Sequence, residues 1–116
     1  MSKKLFFTLL LIIYIIILFL TGAVVNVNNI SKATNFDKAL HFFGFFILTI
    51  LLLLTFEHYK LNNKRIAIFL IALGIGILIE VVQLGIPGRE FSLLDIAADV
   101  LGIIVGALLK WIFPKL

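Results

Sequence analysis

The sequence predicts an all-α membrane protein of four transmembrane helices, with both termini cytoplasmic. Three observations carry that reading. The 116 residues are 63% hydrophobic and 14% charged, whereas soluble domains run about 45–50% and about 25%; the mean hydropathy is +1.24. Four apolar runs, each long enough to cross a ~30 Å hydrocarbon core at about 1.5 Å per residue, fill most of the chain. The cations divide unevenly between the loops that these runs define. At this length a single domain, 1–116, is expected.

The runs cover about residues 5–25, 39–56, 66–86 and 92–113. The first follows Lys3 and Lys4 and ends near Thr21-Gly22-Ala23, a pattern that a signal peptide shares. Its apolar stretch exceeds the roughly 7–15 residues of a signal-peptide core, so it is read as a retained span. A polar, Asn-rich loop leads to the second run, and a loop with Lys60, Lys64 and Arg65 leads to the third. Between the third and fourth lies the short turn Pro87-Gly88-Arg89-Glu90-Phe91. So short a connection makes spans three and four a tight antiparallel hairpin. With the N-terminus inside, seven cations (Lys3, Lys4, Lys60, Lys64, Arg65, Lys110, Lys115) fall on the cytoplasmic side and three (Lys32, Lys38, Arg89) outside. Orientation therefore explains most of the net charge of +4, and nucleic acid is not an expected partner.

That orientation collects the polar residues at the outer ends of the spans. Asp37, Lys38 and His41 begin span two; Glu80 and Gln83 end span three; Arg89 and Glu90 occupy the turn; Asp95 and Asp99 begin span four. Counting from Pro87, Glu80 and Asp99 fall roughly 10 Å deep, and Gln83 and Asp95 roughly 4–6 Å deep. Helical spacing puts Asp37, His41 and Gly44 on one face, and Gly76, Glu80 and Gln83 on another. Asp95, Asp99, Gly102 and Gly106 form a third, polar outward and glycine inward. With Ala98 they make a small-residue surface for close helix packing.

An acid at the centre of a span costs about 2.5–3.5 kcal/mol, less near the interface. Two at matched depth need a compensating cation, a metal or a retained proton. Two readings stay open: a structural polar network locking short helices, or an outward-facing polar pocket. In the pocket reading Lys38 and Arg89 contact anionic groups, and Glu80, Gln83, Asp95 and Asp99 shape the pocket or bind cationic ones. His41 is read as a hydrogen-bonding or proton-relay residue rather than a metal ligand, because no second His stands near it. No metal and no cofactor are expected. Lys110 and Trp111 read as an interfacial anchor, Phe42–Phe46 as lipid-facing or packing bulk, and Glu57 and His58 as the end of a span. With no cysteine, phosphate-binding loop or nucleophile elbow, no established catalytic motif is present.

The ordered set Asp37-Lys38-x-x-His41-Phe42-x-x-Phe45, Glu80-x-x-Gln83, Pro87-Gly88-Arg89, Ser92, Asp95 and Gly102-x-x-x-Gly106 resembles the VanZ-like family of small bacterial integral membrane proteins, over about residues 37–107. Asp99 departs from the commonest family form, where Asn is expected. The resemblance implies a multi-pass protein of the bacterial cytoplasmic (inner) membrane. The family's namesake is associated with low-level resistance to teicoplanin-type lipoglycopeptides, without altered peptidoglycan precursors. Expected partners are the lipid bilayer and a lipid-linked envelope precursor or lipoglycopeptide. The alternatives are a membrane-embedded hydrolase or transferase acting on a lipid-linked substrate, and a structural or partner-subunit membrane protein.

Overall fold

The computed structural model describes residues 1–21, 36–85 and 92–115, with the side chains of Phe36 and Asp37 outside the description. Four helices account for most of it: α1 (Lys3–Phe19), α2 (Phe36–Phe56), α3 (Lys64–Gln83) and α4 (Leu93–Ile112). No β-strand occurs among the described residues. Local chemistry sets several helix ends. The Ser2 hydroxyl accepts the Leu5 N–H at the start of α1, and the Ser92 hydroxyl accepts the Asp95 N–H at the start of α4. Each satisfies a donor that the first turn leaves without an intrahelical partner. Asn63 precedes α3 with φ 54°, a left-handed conformation that Asn tolerates better than most residues.

Contacts give the helix directions. Tyr14 donates to the Gly44 carbonyl at 2.7 Å and Thr8 pairs with Tyr59 at 2.8 Å, so α1 runs antiparallel to α2. Asp99 meets His41, the α4 backbone at Gly102 abuts Phe42, and that at Gly106 abuts Phe46 and Thr49. Rising numbers on both helices make α2 and α4 parallel, and theirs is the most extensive helix contact. Glu80 accepts from Ser92 N–H and Gly76 lies against Asp99, so α3 runs antiparallel to α4. The core between the helices holds Leu11, Phe45, Leu48, Leu52, Ile68, Ala72, Ile79 and Ile103.

Gly102 and Gly106 make the α2–α4 contact possible. A Cβ on Gly102 would overlap the Phe42 carbonyl oxygen and stand 3.0 Å from Phe46 N. One on Gly106 would stand 3.0 Å from the Phe46 carbonyl oxygen. These are backbone atoms, which cannot rotate aside, so only glycine permits the approach. Ala98, on the same side, is also buried.

Exposure is inverted relative to a water-soluble bundle. Ile13, Ile16 and Ile17 on α1, Ile66 and Leu70 on α3, and Leu101 and Leu108 on α4 are all exposed. His41, Thr49, Thr55, Glu80, Gln83, Asp95, Asp99 and Lys110 are buried. An apolar exterior around a polar interior suits lipid and not water. Two stretches, Lys38–Phe56 and Lys64–Gln83, are long and apolar enough to cross a membrane. Of the four spans expected from the sequence, two meet that measure among the described residues. α1 is described over only 17 residues, and α4 carries Asp95, Asp99 and Lys110 within its length.

Candidate functional site

Three helix termini meet at one end of the bundle: the start of α2, the end of α3 and the start of α4. They bring together Lys38, His41, Glu80, Gln83, Asp95 and Asp99. Glu80 and Asp99 have no solvent exposure. On α2, positions 41, 45, 48, 52 and 55 follow 4,3,4,3 spacing and are all buried. His41 thus opens the stripe that faces the other helices.

The imidazole is the hub. Its Nδ1 lies 2.7 Å from Asp99 Oδ1, both groups buried. An ionised carboxylate only accepts, so Nδ1 carries the proton and donates it. The opposite nitrogen, Nε2, lies 3.4 Å from Asp95 Oδ2 and 4.0 Å from Glu80 Oε1. Lys38 donates to the other Asp95 oxygen at 2.5 Å. Glu80 Oε2 accepts the Ser92 N–H at 3.0 Å, while Glu80 Oε1 is buried with no hydrogen-bond partner. Ser92 therefore acts twice, capping α4 through its hydroxyl and tying α4 to α3 through its backbone. Asp95 stands in the first turn of α4, where the helix dipole favours a carboxylate.

Several expectations change. Counting from the turn paired Glu80 with Asp99 in depth. Instead Asp95 shares the His41 Nε2 side with Glu80, and Asp99 lies against Gly76, whose Cβ would come 2.7 Å from Asp99 Oδ2. The reason is that α4 starts on Glu80, through Ser92, and so sits deeper than a symmetric hairpin count allows. Gly44, expected on the face of His41, packs on α1, where its Cβ would meet Leu18 at 3.1 Å. Of Phe42–Phe46, expected as lipid-facing or packing bulk, Phe45 is buried and Phe43 is exposed. Lys38 meets Asp95, so among the described residues the carboxylates outnumber the lysine within the cluster. Arg89 and Glu90 lie outside the described residues, as does the Asp37 side chain.

At the opposite end, Lys110 differs from a simple interfacial anchor. It is buried, donates to the Pro114 carbonyl at 2.8 Å and pairs with Glu57 at 2.8 Å. Trp111 beside it is exposed, and His58 stacks on Phe7. A crevice of about 580 Å³ opens there, with Lys64, Arg65 and Lys110 at its polar part and Ile68, Phe69 and Ile104 along its apolar part. It shares no residue with the His41 cluster. Convergent buried ionisable groups mark the His41 end as the candidate site.

Comparisons with known proteins agree with the bundle's character. The family model described as VanZ/LLP1 matches residues 5–114. An uncharacterized protein of Schizosaccharomyces pombe is 33% identical over 79 residues, covering 68% of this chain and 49% of that protein. The chain thus spans about half the length of this curated relative, which is fungal rather than bacterial. No solved structure matches.

Proposed function

Because the chain belongs to the VanZ/LLP1 family, we propose that it is a multi-pass membrane protein of the cell envelope whose buried polar pocket engages a membrane-anchored ligand, lowering susceptibility to teicoplanin-type lipoglycopeptides. The observation that carries this reading is the convergence of His41, Glu80, Asp95 and Asp99 from three helices at one end of the bundle. Ionisable groups are rarely kept in an apolar bundle without use. Four spans with both termini cytoplasmic follow from the loop charges, and that arrangement turns the pocket toward the outer face of a bacterial cytoplasmic membrane. Among the described residues, three carboxylates beside Lys38 favour a ligand that presents a cationic or hydrogen-bond-donating group. The test is teicoplanin susceptibility of a susceptible host carrying wild type, Glu80→Ala or empty vector, at matched membrane levels. Protection by wild type alone is expected; equal susceptibility of all three strains overturns the reading.

A second reading is a membrane-embedded hydrolase or transferase. The His41–Asp99 pair favours it, since a carboxylate on Nδ1 leaves Nε2 as a general base facing the pocket. Turnover of a polyprenyl phosphate or a lipid-linked sugar by purified protein, lost in His41→Gln, would support it. Absence of turnover across such substrates removes it.

A further inference from the structure

We propose that His41 Nε2, Glu80 Oε1 and Asp95 Oδ2 form a binding site for a divalent transition-metal ion, with Asp99 as the carboxylate that orients the histidine. The site lies in the pocket of the proposed function but assumes neither protection nor turnover. Four observations meet there.

The first is the donor set. One ligand atom from each of three buried residues, on three different helices, lies within 4.8 Å of the others. The second is the imidazole's orientation. A histidine that binds a metal through one nitrogen almost always gives the other N–H to a carboxylate or carbonyl. Asp99 takes that role on Nδ1 at 2.7 Å, which turns the lone pair of Nε2 toward two carboxylate oxygens. A lone pair facing two carboxylate oxygens is repulsive unless a proton or a metal ion stands between them, and the three donors are placed to hold the metal.

The third is distance. Separations of 3.4 and 4.0 Å from Nε2 are long for charge-assisted hydrogen bonds, which run about 2.7–2.9 Å. Metal bonds of ~2.0–2.1 Å in a tetrahedron give ligand–ligand edges of about 3.3–3.4 Å; the Asp95 separation matches that edge, and Glu80 Oε1 would close in by about 0.6 Å to complete it. The fourth is Glu80 Oε1, fully buried and without a hydrogen-bond partner. An anionic oxygen left so is costly, and a metal ion would satisfy it.

Charge agrees. Among the described residues three acids, Glu80, Asp95 and Asp99, face Lys38, and a divalent ion would offset negative charge there. One imidazole with two carboxylates suits zinc, manganese or iron(II) better than calcium or magnesium, which prefer all-oxygen shells. Three protein ligands leave a coordination position for water or for an oxygen of a ligand.

The experiment uses the full chain purified in detergent, stripped with chelator, loaded separately with zinc and with cobalt(II), and desalted. Metal content and the cobalt ligand-field spectrum are then read. Wild type is expected to retain one ion per chain, with a spectrum of nitrogen and oxygen ligation; Glu80→Gln and Asp95→Asn lose both. Asp99→Asn, an isosteric change outside the ligand set, keeps the fold by circular dichroism and binds about 10–100-fold more weakly. Wild type that holds no ion overturns the proposal whatever the variants do, as does unchanged affinity in Glu80→Gln. Wild type that binds no ion when loaded yet protects against teicoplanin in cells would remove the metal site and leave the proposed function standing. A loaded protein without protection does the reverse.

Discussion

His41 on α2 and Asp99 on α4 face each other at 2.7 Å in the interior of a bundle whose outer surface is apolar. The two helices run parallel and touch through Gly102 and Gly106 one and two turns further on. The polar contact and the glycine contact are thus consecutive levels of one interface. The glycines bring the backbones close, and that closeness puts Asp99 within reach of the imidazole.

The glycine level makes a graded prediction. Gly102→Ala places a methyl on the Phe42 carbonyl, so a loss of about 1–3 kcal/mol or more is expected, the cost of overpacking a tight contact. Gly106→Ala loses less, because its Cβ would stand 3.0 Å from the Phe46 carbonyl oxygen, a tight contact rather than an overlap. Gly74→Ala, with nothing within 4 Å of its Cβ, is neutral or gains up to about 1 kcal/mol from helix propensity. Thermal unfolding in detergent, following helicity, ranks the three variants.

The polar level predicts an asymmetry between amide and deletion at Asp99. Asp99→Ala strips the buried His41 Nδ1–H of its acceptor and costs about 1–3 kcal/mol. Asp99→Asn keeps an acceptor oxygen in the same place and costs less than half as much. Denaturation of both variants checks this, and equal losses would show that the hydrogen bond is not what Asp99 contributes.

The two ion pairs differ in burial and should differ in energy. Each joins a buried group to a more exposed one, Asp95 to Lys38 (7% and 34%) and Lys110 to Glu57 (9% and 51%), so the Glu57 pair is the more open to solvent. Glu57→Gln is expected to change stability by under about 1 kcal/mol, as for a solvent-screened pair. Lys38→Met, which leaves Asp95 without its ammonium, costs more. The same unfolding measurement at low and high salt separates them, with the Glu57 pair the more salt-sensitive.

Membrane orientation can be read directly, because the chain has no cysteine. Leu93 is exposed at the pocket end and Lys60 is exposed at the other. With a membrane-impermeant maleimide, Leu93→Cys is expected to label in intact cells, and Lys60→Cys only after permeabilisation. The reverse pattern would turn the pocket to the cytoplasm.

How much of this was legible depended on contrast within each helix. On α4, two acids and two glycines break an apolar background at 4,3,4 spacing, so the packing face could be read. On α2 nearly every residue from Phe42 to Phe56 is apolar or Thr, and little marks which side turns inward. Hence Gly44 was grouped with His41, although Tyr14 and Leu18 of α1 claim it. Depth was misjudged by a turn because a backbone donor, Ser92 N–H, seats α4 on Glu80. Backbone groups leave no trace in side-chain patterns. The pair of buried Lys110 with exposed Glu57 joins residues 53 apart, and no local spacing announces it.

The central claim is that the buried carboxylate cluster is used, not merely structural. Glu80→Gln tests it most directly, since it keeps the side chain's shape and its oxygen toward Ser92 while removing the charge. At matched membrane level and with unfolding close to wild type, the variant is expected to lose the protection against teicoplanin proposed for wild type. A folded Glu80→Gln protein that protects as well as wild type would contradict the account.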